Sequence, residues 1–377
     1  MKTLKNLTIY AEDKIIKNGY IKFDETIKEI GSGDVDGIDM KGQILIPGYI
    51  EQHIHGLAGA DTMDATFDAI NLMATNLPKE GVTSFMPTTM TETKENILNA
   101  LKTIKDYKER NTNPGAEIVG IHLEGPFISY KLKGAQRGDA IVKPDIELFK
   151  EFNKASGNLI KQVTFAPEIE GADEFIKYLR SNNIVPSMGH SDASDEEVFH
   201  AIKMGANNFT HAYNAMRPFH HRDLGVIGSM LLSGKDVYAE IITDFVHSNK
   251  YAVQMLYKAK GANNIILITD SMRAKLLPDG LSELGGQKVF VKGIEARLEN
   301  GTLAGSILRF EDGVKNFRKI NNCSIEEIIQ MASINPAKLH NLYDKKGSIK
   351  IGKDSDFIIT NDNLDVIETY CLGTRCK

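Results

Sequence analysis

The sequence predicts an α/β protein: a (β/α)8 TIM-like barrel, with a small β-sandwich domain that both chain ends build. Short apolar runs alternate with segments of helical periodicity, and each such pair takes a few tens of residues. This alternation is typical of βα units in a parallel sheet. About eight pairs can be counted, the number that closes a barrel of this kind. In addition, residues able to bind metal ions stand at the ends of many predicted strands.

The eight candidate strands are short and apolar, and they span 49–55, 83–89, 118–125, 162–168, 185–191, 208–214, 239–247 and 265–271. Segments with helical spacing lie between them, and two helices are predicted to begin with a capping box, Ser194 with Glu197 and Ser324 with Glu327. The alternative architecture is a doubly wound open sheet. No Gly-x-Gly-x-x-Gly follows a first strand, so that alternative is less favoured.

The two chain ends differ from the middle. Residues 3–45 and 347–371 show strand-like alternation broken by turn residues. Neither end is long enough to bury a core alone. We therefore predict that residues 1–46 and 346–377 pair into one small β domain beside a barrel of residues 47–345.

Composition restricts the class of protein. Of the 377 residues, 42% are hydrophobic and 25% are charged, and the formal net charge is −5. No basic surplus is left to neutralise phosphates, so nucleic-acid binding is not expected. Cys323, Cys371 and Cys376 lack Cys-x-x-Cys spacing, which suggests a reducing compartment. We see neither a signal peptide nor a membrane-spanning run and expect a cytoplasmic protein.

The predicted strand ends carry polar residues of the types that can bind metals. They are His53 and His55 on the first strand, Glu124 on the third, His190 on the fifth, His211 on the sixth, His247 on the seventh and Asp270 on the eighth. In a closed parallel barrel these ends meet at one mouth. Imidazoles with carboxylates suit zinc or iron, and manganese or cobalt less closely. Because there are more ligands than one ion needs, we predict one or two ions per subunit, with Glu124 as the bridge.

Each residue also has a structural interpretation. Taken alone, His190 and His211 are better explained as structural histidines that form hydrogen bonds at strand ends. For the pair His53 and His55 alone, metal ligation and a structural role are equally favoured. Asp270 alone could cap the helix that follows. Residues able to bind metal occur at the ends of odd-numbered and even-numbered strands alike, and this distribution favours a metal site. A metal ion at the same mouth would activate water, which makes Asp270 a candidate general base.

The loop 213–225 is a candidate anion site. Asn214 and Ala215 could offer backbone N–H groups, and Arg222 could clamp an anion with its guanidinium. The alternative is a surface arginine in a charged loop, and the residues alone favour that alternative.

Five motifs carry a family resemblance: HIHG at 53–56, HLEGPF at 122–127, MGHSDA at 188–193, THAYNAM at 210–216 and ITDSMRAK at 268–275. They resemble the amidohydrolase superfamily and, more closely, its N-acetylglucosamine-6-phosphate deacetylase family. The resemblance covers nearly the whole chain. It implies a metal-dependent hydrolase that removes acetate from an amino-sugar phosphate.

The resemblance also implies roles for individual residues. Metal ligation falls to Glu124, His190 and His211, with His53 and His55 holding a second ion in part of the family. Asp270 matches the catalytic acid/base, and His247 matches the contact to the substrate carbonyl. Phosphate-binding positions match Asn214, Ala215 and Arg222, and the expected assembly is a homodimer in which Arg222 serves its own subunit or its partner.

The chain departs from the family pattern at three places. Gln136 stands where part of the family has a substrate-contacting histidine; a glutamine there carries no charge but can hydrogen-bond a sugar, so we expect Gln136 to contact the substrate. HHRDLG at 220–225 replaces the usual Arg-Glu-Pro-Gly. Phe245 stands where glycine is usual, which adds bulk near the reaction centre. None of the departures removes a metal ligand.

Two other functions were weighed. Many cyclic amidases of this superfamily bridge two metals with a carboxylated lysine on the fourth strand, but 162–168 offers Glu168 and no lysine. A barrel without catalytic activity would be expected to lose ligands, and this chain keeps the set.

Overall fold

A closed barrel of eight parallel strands forms the centre of the computed structural model, which describes residues 1–377. Barrel strands 1 to 8 are Tyr49–Ile54, Val82–Thr89, Ile121–Glu124, Ile160–Phe165, Val185–Met188, Asn208–Phe209, Tyr238–Ile242 and Ile265–Ile268. Consecutive strands pair in parallel, and Glu117–Ile118 adds a short pairing to strand 2. A parallel bridge between Ile54 and Ser271 closes the ring. The prediction of eight barrel strands is confirmed.

A helix follows each barrel strand. These helices are Phe67–Asn76, Lys94–Arg110, Ile146–Ala155, Ala172–Ser181, Asp195–Met204, Gly225–Leu232, Lys250–Lys260 and Phe310–Asn321. The chain then continues through Ile325–Ile329, the π-helical Gln330–Ile334 and Asn335–Leu339. Both predicted capping boxes are present. None of the helices has the length and apolarity needed to cross a membrane.

The chain ends build one continuous sheet. Its strands are Lys2–Tyr10, Ile15–Phe23, Ile27–Ser32, Ile38–Asp39, Ile44–Pro47, Phe357–Thr360, Val366–Cys371 and Thr374–Arg375. Ile44–Pro47 pairs antiparallel with Phe357–Thr360 and so joins the two ends. Phe23 packs on Phe357 with ring centroids 4.9 Å apart, although two strands lie between them in the sheet. The sheet therefore folds over itself into a sandwich, while the domain boundaries at 46/47 and 345/346 stay predictions.

A three-stranded antiparallel insert separates strand 8 from its helix. Its strands are Gly280–Leu284, Gln287–Lys292 and Glu295–Leu298. One face packs Leu284, Val289 and Val291 with Met90 and Met272. These three strands were not among the predicted elements. Local signals were present, because Gly285–Gly286 is a two-residue hairpin turn between the paired Leu284 and Gln287.

Candidate metal centre

Glu124 lies at the centre of the predicted ligand set. Its Oε1 is 3.3 Å from His190 Nε2 and 3.1 Å from His211 Nε2. Its Oε2 is 3.2 Å from His55 Nε2. Oε1 is also 3.6 Å from His53 Nε2, so imidazoles of all four histidines surround this one carboxylate.

The ligand atoms form two clusters. One contains His53, His55 and Asp270, and the other contains Glu124, His190 and His211; within each cluster all ligand atoms lie within 4.8 Å of one another. Asp270 Oδ1 is 3.4 Å from His53 Nε2 and 3.2 Å from His55 Nε2. All six side chains are buried. The structure therefore brings together every residue for which metal ligation was predicted, and adds Asp270 to one cluster.

Hydrogen bonds on the far side of three of the four imidazoles support metal ligation. His53 Nδ1 is 3.0 Å from Glu240 Oε2, and His190 Nδ1 is 2.9 Å from the Leu132 carbonyl oxygen. His55 Nδ1 is 3.2 Å from the Thr88 carbonyl oxygen. When Nδ1 donates to such acceptors, Nε2 keeps its lone pair for a metal. His53 Nε2 is buried and has no hydrogen-bond partner, so these residues fit a bound transition metal.

The imidazoles and carboxylates of this cluster shift one another's pKa values. Burial would lower the pKa of His53, but the carboxylates of Asp270 and Glu124 raise it well above its usual value. The pKa of His55 is likewise raised, against burial, to about 10. Burial would raise the pKa of Glu124, but the charge of His53 and hydrogen bonds from His190 and His211 lower it. The site thus stabilises carboxylate anions next to positive charge, which a metal ion can supply.

The chain turns sharply where it delivers three of these residues. His190, His211 and Asp270 have φ values of 47°, 34° and 49°. This left-handed region is unfavourable for residues with a side chain and occurs often at active sites. Each turn follows the end of a strand, so the side chain lies at the mouth of the barrel.

A pocket of about 440 Å³ opens onto this cluster. His55, Glu124, His190, His211 and Asp270 line it, whereas His53 is fully buried behind them. His247, Asn214, Ala215 and Gln136 line the same pocket. This volume is in the range of small-ligand sites.

Comparison with known proteins agrees with this geometry. Residues 44–376 match the amidohydrolase family. The chain is 45% identical to N-acetylglucosamine-6-phosphate deacetylase of Bacillus subtilis, over 98% of this chain and 96% of that protein. It is 35% identical to the human protein of the same name, over 89% of this chain and 84% of that protein. The chain belongs to the N-acetylglucosamine-6-phosphate deacetylase family of amidohydrolases.

A crystal structure from the same deacetylase family shares the whole fold. The N-acetylglucosamine-6-phosphate deacetylase of Thermotoga maritima superposes with a TM-score of 0.91 at 36% identity, covering 100% of this chain and 99% of that one. Two structures from Mycobacterium smegmatis, at 24% identity, have the same fold. Barrel, end sheet and insert thus belong to one family architecture.

Two residues singled out in the deacetylase pattern do not line the pocket. Arg222 is exposed on its loop, where its guanidinium is 2.7 Å from His221 Nε2. Phe245 is half-buried outside the pocket and has φ 62°, a conformation that favours glycine. A lysine and an arginine do line the pocket, Lys131 and Arg297, and neither was among the predicted site residues.

Gln136 lines the pocket, but its amide is engaged with protein groups. Nε2 donates to Glu124 Oε2 at 2.7 Å, and Oε1 accepts from the Thr91 N–H at 2.7 Å. Each of these amide atoms can make one further hydrogen bond, so substrate binding by Gln136 stays a prediction. The bond to Oε2 holds the Glu124 carboxylate in place.

Two further residues revise the sequence interpretation. Glu240 was missed, although an acidic residue inside the apolar strand Tyr238–Ile242 is a signal in itself. Burial would raise the pKa of Glu240, but the hydrogen bond and charge of His53 hold it at about 2. Strand 4 starts at Ile160 and so includes Lys161, contrary to the expectation of no lysine. Lys161 lies near the start of that strand, far from the mouth, where it faces Gly120.

Proposed function

We propose that this chain hydrolyses the acetamido bond of N-acetyl-D-glucosamine 6-phosphate, giving D-glucosamine 6-phosphate and acetate. The observation that carries the proposal is the Glu124-centred double cluster at the base of a ligand-sized pocket. Curated relatives up to 45% identical bear the name of this activity. Another amidohydrolase reaction on a related N-acetylated sugar or a cyclic amide is the alternative.

The metal would be held by the two clusters. His53, His55 and Asp270 would bind one ion, and His190 and His211 a second, with Glu124 between them. These nitrogen and oxygen donors suit zinc or iron best, and also accept manganese or cobalt. A bound ion of this kind lowers the pKa of water toward neutrality and polarises a carbonyl group.

Asp270 serves as general base and then as general acid. Its carboxylate takes the proton of the attacking water and passes it to the departing amine, which needs that proton because an amide anion leaves poorly. His247 lines the same pocket, and its Nδ1 is 2.7 Å from Asp244 Oδ2. Its Nε2 is then available to the substrate carbonyl oxygen.

We assign the phosphate to the loop that follows strand 6. Asn214 and Ala215 line the pocket, and Arg222 serves a partner subunit in a homodimer. Two observations support a dimer. Arg222 is exposed outside its own pocket, and large apolar side chains on neighbouring elements are exposed: Phe219 by 56%, Leu232 by 66% and Tyr251 by 67%.

An assay panel tests the reaction. The zinc- or iron-loaded protein should release acetate from N-acetylglucosamine 6-phosphate much faster than from unphosphorylated N-acetylglucosamine. Dihydroorotate and adenine, substrates of the alternative amidohydrolases, should be inert. If the protein turned over dihydroorotate or adenine faster than N-acetylglucosamine 6-phosphate, the proposed function would be wrong.

Asp270→Asn tests the proton transfer. The asparagine retains an oxygen for the ligand cluster but cannot carry the proton, so kcat should fall by about 10²–10⁴-fold. Elemental analysis should show that most of the metal remains. Substantial activity in a metal-loaded Asp270→Asn protein would remove Asp270 from this role.

Arg222→Ala tests the phosphate assignment. KM for the phosphorylated substrate should rise at least about tenfold, since a charge-assisted pair is lost, while hydrolysis of unphosphorylated sugar stays unchanged. Light scattering should give the mass of two chains. A monomer, or equal effects on both substrates, would contradict the assignment; Lys235→Ala, at an exposed site away from the pocket, is the control.

A further inference from the structure

Glu240 is a buried carboxylate directly beneath the metal centre. It lies on barrel strand 7 and is fully buried. Oε1 accepts from Gln52 Nε2 at 2.7 Å, Gln162 Nε2 at 2.7 Å and Asn208 Nδ2 at 3.0 Å. Three amide donors thus occupy this one oxygen and leave it no room for another partner.

The other oxygen of Glu240 faces the metal ligands. Oε2 is 3.0 Å from His53 Nδ1 and accepts from the His211 backbone N–H at 3.2 Å. An ionised carboxylate can only accept hydrogen bonds. His53 must therefore carry a proton on Nδ1 to make this contact.

From this geometry we infer that Glu240 is a positioning residue of the metal centre: it keeps the proton of His53 on Nδ1 and so leaves Nε2 to bind the ion. The inference rests on the proposed function in that it requires metal at His53. Glu240 does not line the pocket, so it acts through His53 and touches no substrate.

Replacement of Glu240 by glutamine reverses this arrangement. The amide oxygen will face the three donors from Gln52, Gln162 and Asn208, because turning the NH2 group toward them would leave three unpaired donors. The new NH2 group then faces His53 Nδ1, which becomes an acceptor, while the His211 backbone N–H loses its acceptor. The ring proton moves to Nε2 and blocks the metal.

A double-mutant cycle tests this link. Zn²⁺ is titrated against a chelating dye into metal-free wild type, Glu240→Gln, His53→Ala and the double variant. Glu240→Gln should weaken zinc binding by about 10–100-fold. In the His53→Ala background the same substitution should change zinc affinity at least about fivefold less than in the wild type, because the ligand through which it mainly acts is gone and only the contact to the His211 N–H remains.

Two controls separate the outcomes. Gln162→Met removes one bond to the far oxygen of Glu240 and should leave zinc affinity unchanged. An undiminished effect of Glu240→Gln without His53, or an equal loss in Gln162→Met, would show a merely structural role and overturn the inference. Wild type that takes up no zinc would instead defeat the proposed function.

The wild-type protein offers a second measurement if Glu240→Gln does not fold. In zinc-loaded protein with labelled histidines, NMR should show a slowly exchanging proton on the Nδ1 of His53, identified by its loss in His53→Ala. A ring protonated at Nε2 would overturn the inference.

Discussion

His340 is a buried histidine that stays neutral in the folded protein. Its Nε2 is 3.1 Å from Gln52 Oε1, and its Nδ1 has no partner. Burial lowers the pKa of His340 to about 4, against about 6.5 for an unperturbed histidine. Between these two values the unfolded chain binds a proton that the folded protein does not. The contribution of neutral His340 to the free energy of unfolding is therefore complete above about pH 6.5 and is lost progressively as the pH drops toward 4.

His340→Gln should reduce this acid sensitivity. Between about pH 7.5 and about pH 5, wild type should lose about 2 kcal/mol more free energy of unfolding than the variant, as proton linkage requires. Urea unfolding at both pH values measures the difference. His200→Gln, at a surface site, should behave as wild type. Equal losses in wild type and His340→Gln would contradict the pKa shift.

Single residues also mark the limit of what the sequence could predict. The candidate metal ligands could be predicted because the strand ends of a barrel meet at one mouth. Residue type and position along the strand are therefore enough to identify them. The hydrogen-bond partners of Gln136 and Glu240 could not be predicted, because these contacts join residues that are far apart in the sequence. Gln136 and Thr91, for example, are 45 positions apart. Which histidine turns through a left-handed φ is likewise set by packing around the strand end.

The segment Gly301–Ser306 is an element that holds Asp270 in place. Ser306 N donates to the Asp270 carbonyl oxygen at 2.8 Å, and Ser306 bridges to Ser271. Gly305 has φ 63°, and a Cβ there would lie 3.1 Å from Met272 Cβ and 3.3 Å from the Asp270 carbonyl oxygen. A side chain at Gly305 would therefore press on the segment that carries Asp270.

Gly305→Ala and Gly301→Ala form a matched pair. Both glycines have positive φ, but a Cβ at Gly301 meets nothing within 4 Å. Each substitution should cost about 1 kcal/mol of unfolding free energy from backbone strain. Only Gly305→Ala should also lower kcat/KM, by about tenfold for a small displacement of Asp270, the proposed general base. Similar kinetics in the two variants would show that Asp270 does not depend on this contact.

Among the secondary-structure elements, hydrophobic periodicity was enough to predict the barrel strands and helices but not the three-stranded insert. Buried strands such as Val82–Thr89 and amphipathic helices such as Lys94–Arg110 are apolar in patterns that identify them directly. The insert Gly280–Leu298 consists of short strands with one exposed face. Its turns could have been recognised locally, but its position against Met90 and Met272 depends on tertiary packing.

Across the whole molecule, one buried cation joins the barrel to the end sheet. Lys346 Nζ lies 2.8 Å from Glu117 Oε2, 3.0 Å from Asp354 Oδ2 and in contact with Asp356. Glu117 belongs to the barrel, and Asp356 directly precedes the sheet strand Phe357–Thr360. Burial would lower the pKa of Lys346, but the three carboxylates raise it. The ammonium group therefore occupies what would otherwise be an acidic cluster suited to a metal ion.

Lys346→Met should destabilise the protein as a whole. It leaves three neighbouring carboxylates with no cation, of which Asp356 is buried and Glu117 and Asp354 are partly exposed. The expected loss is about 3 kcal/mol, the lower end for removal of one partner from a buried ion pair. Lys350→Met is the matched control, because Lys350 pairs with Glu12 at 2.8 Å but is 59% exposed. Such a surface pair contributes less than about 1 kcal/mol. Urea unfolding of the two variants compares them directly, and equal losses would mean that Lys346 does not hold the two units together.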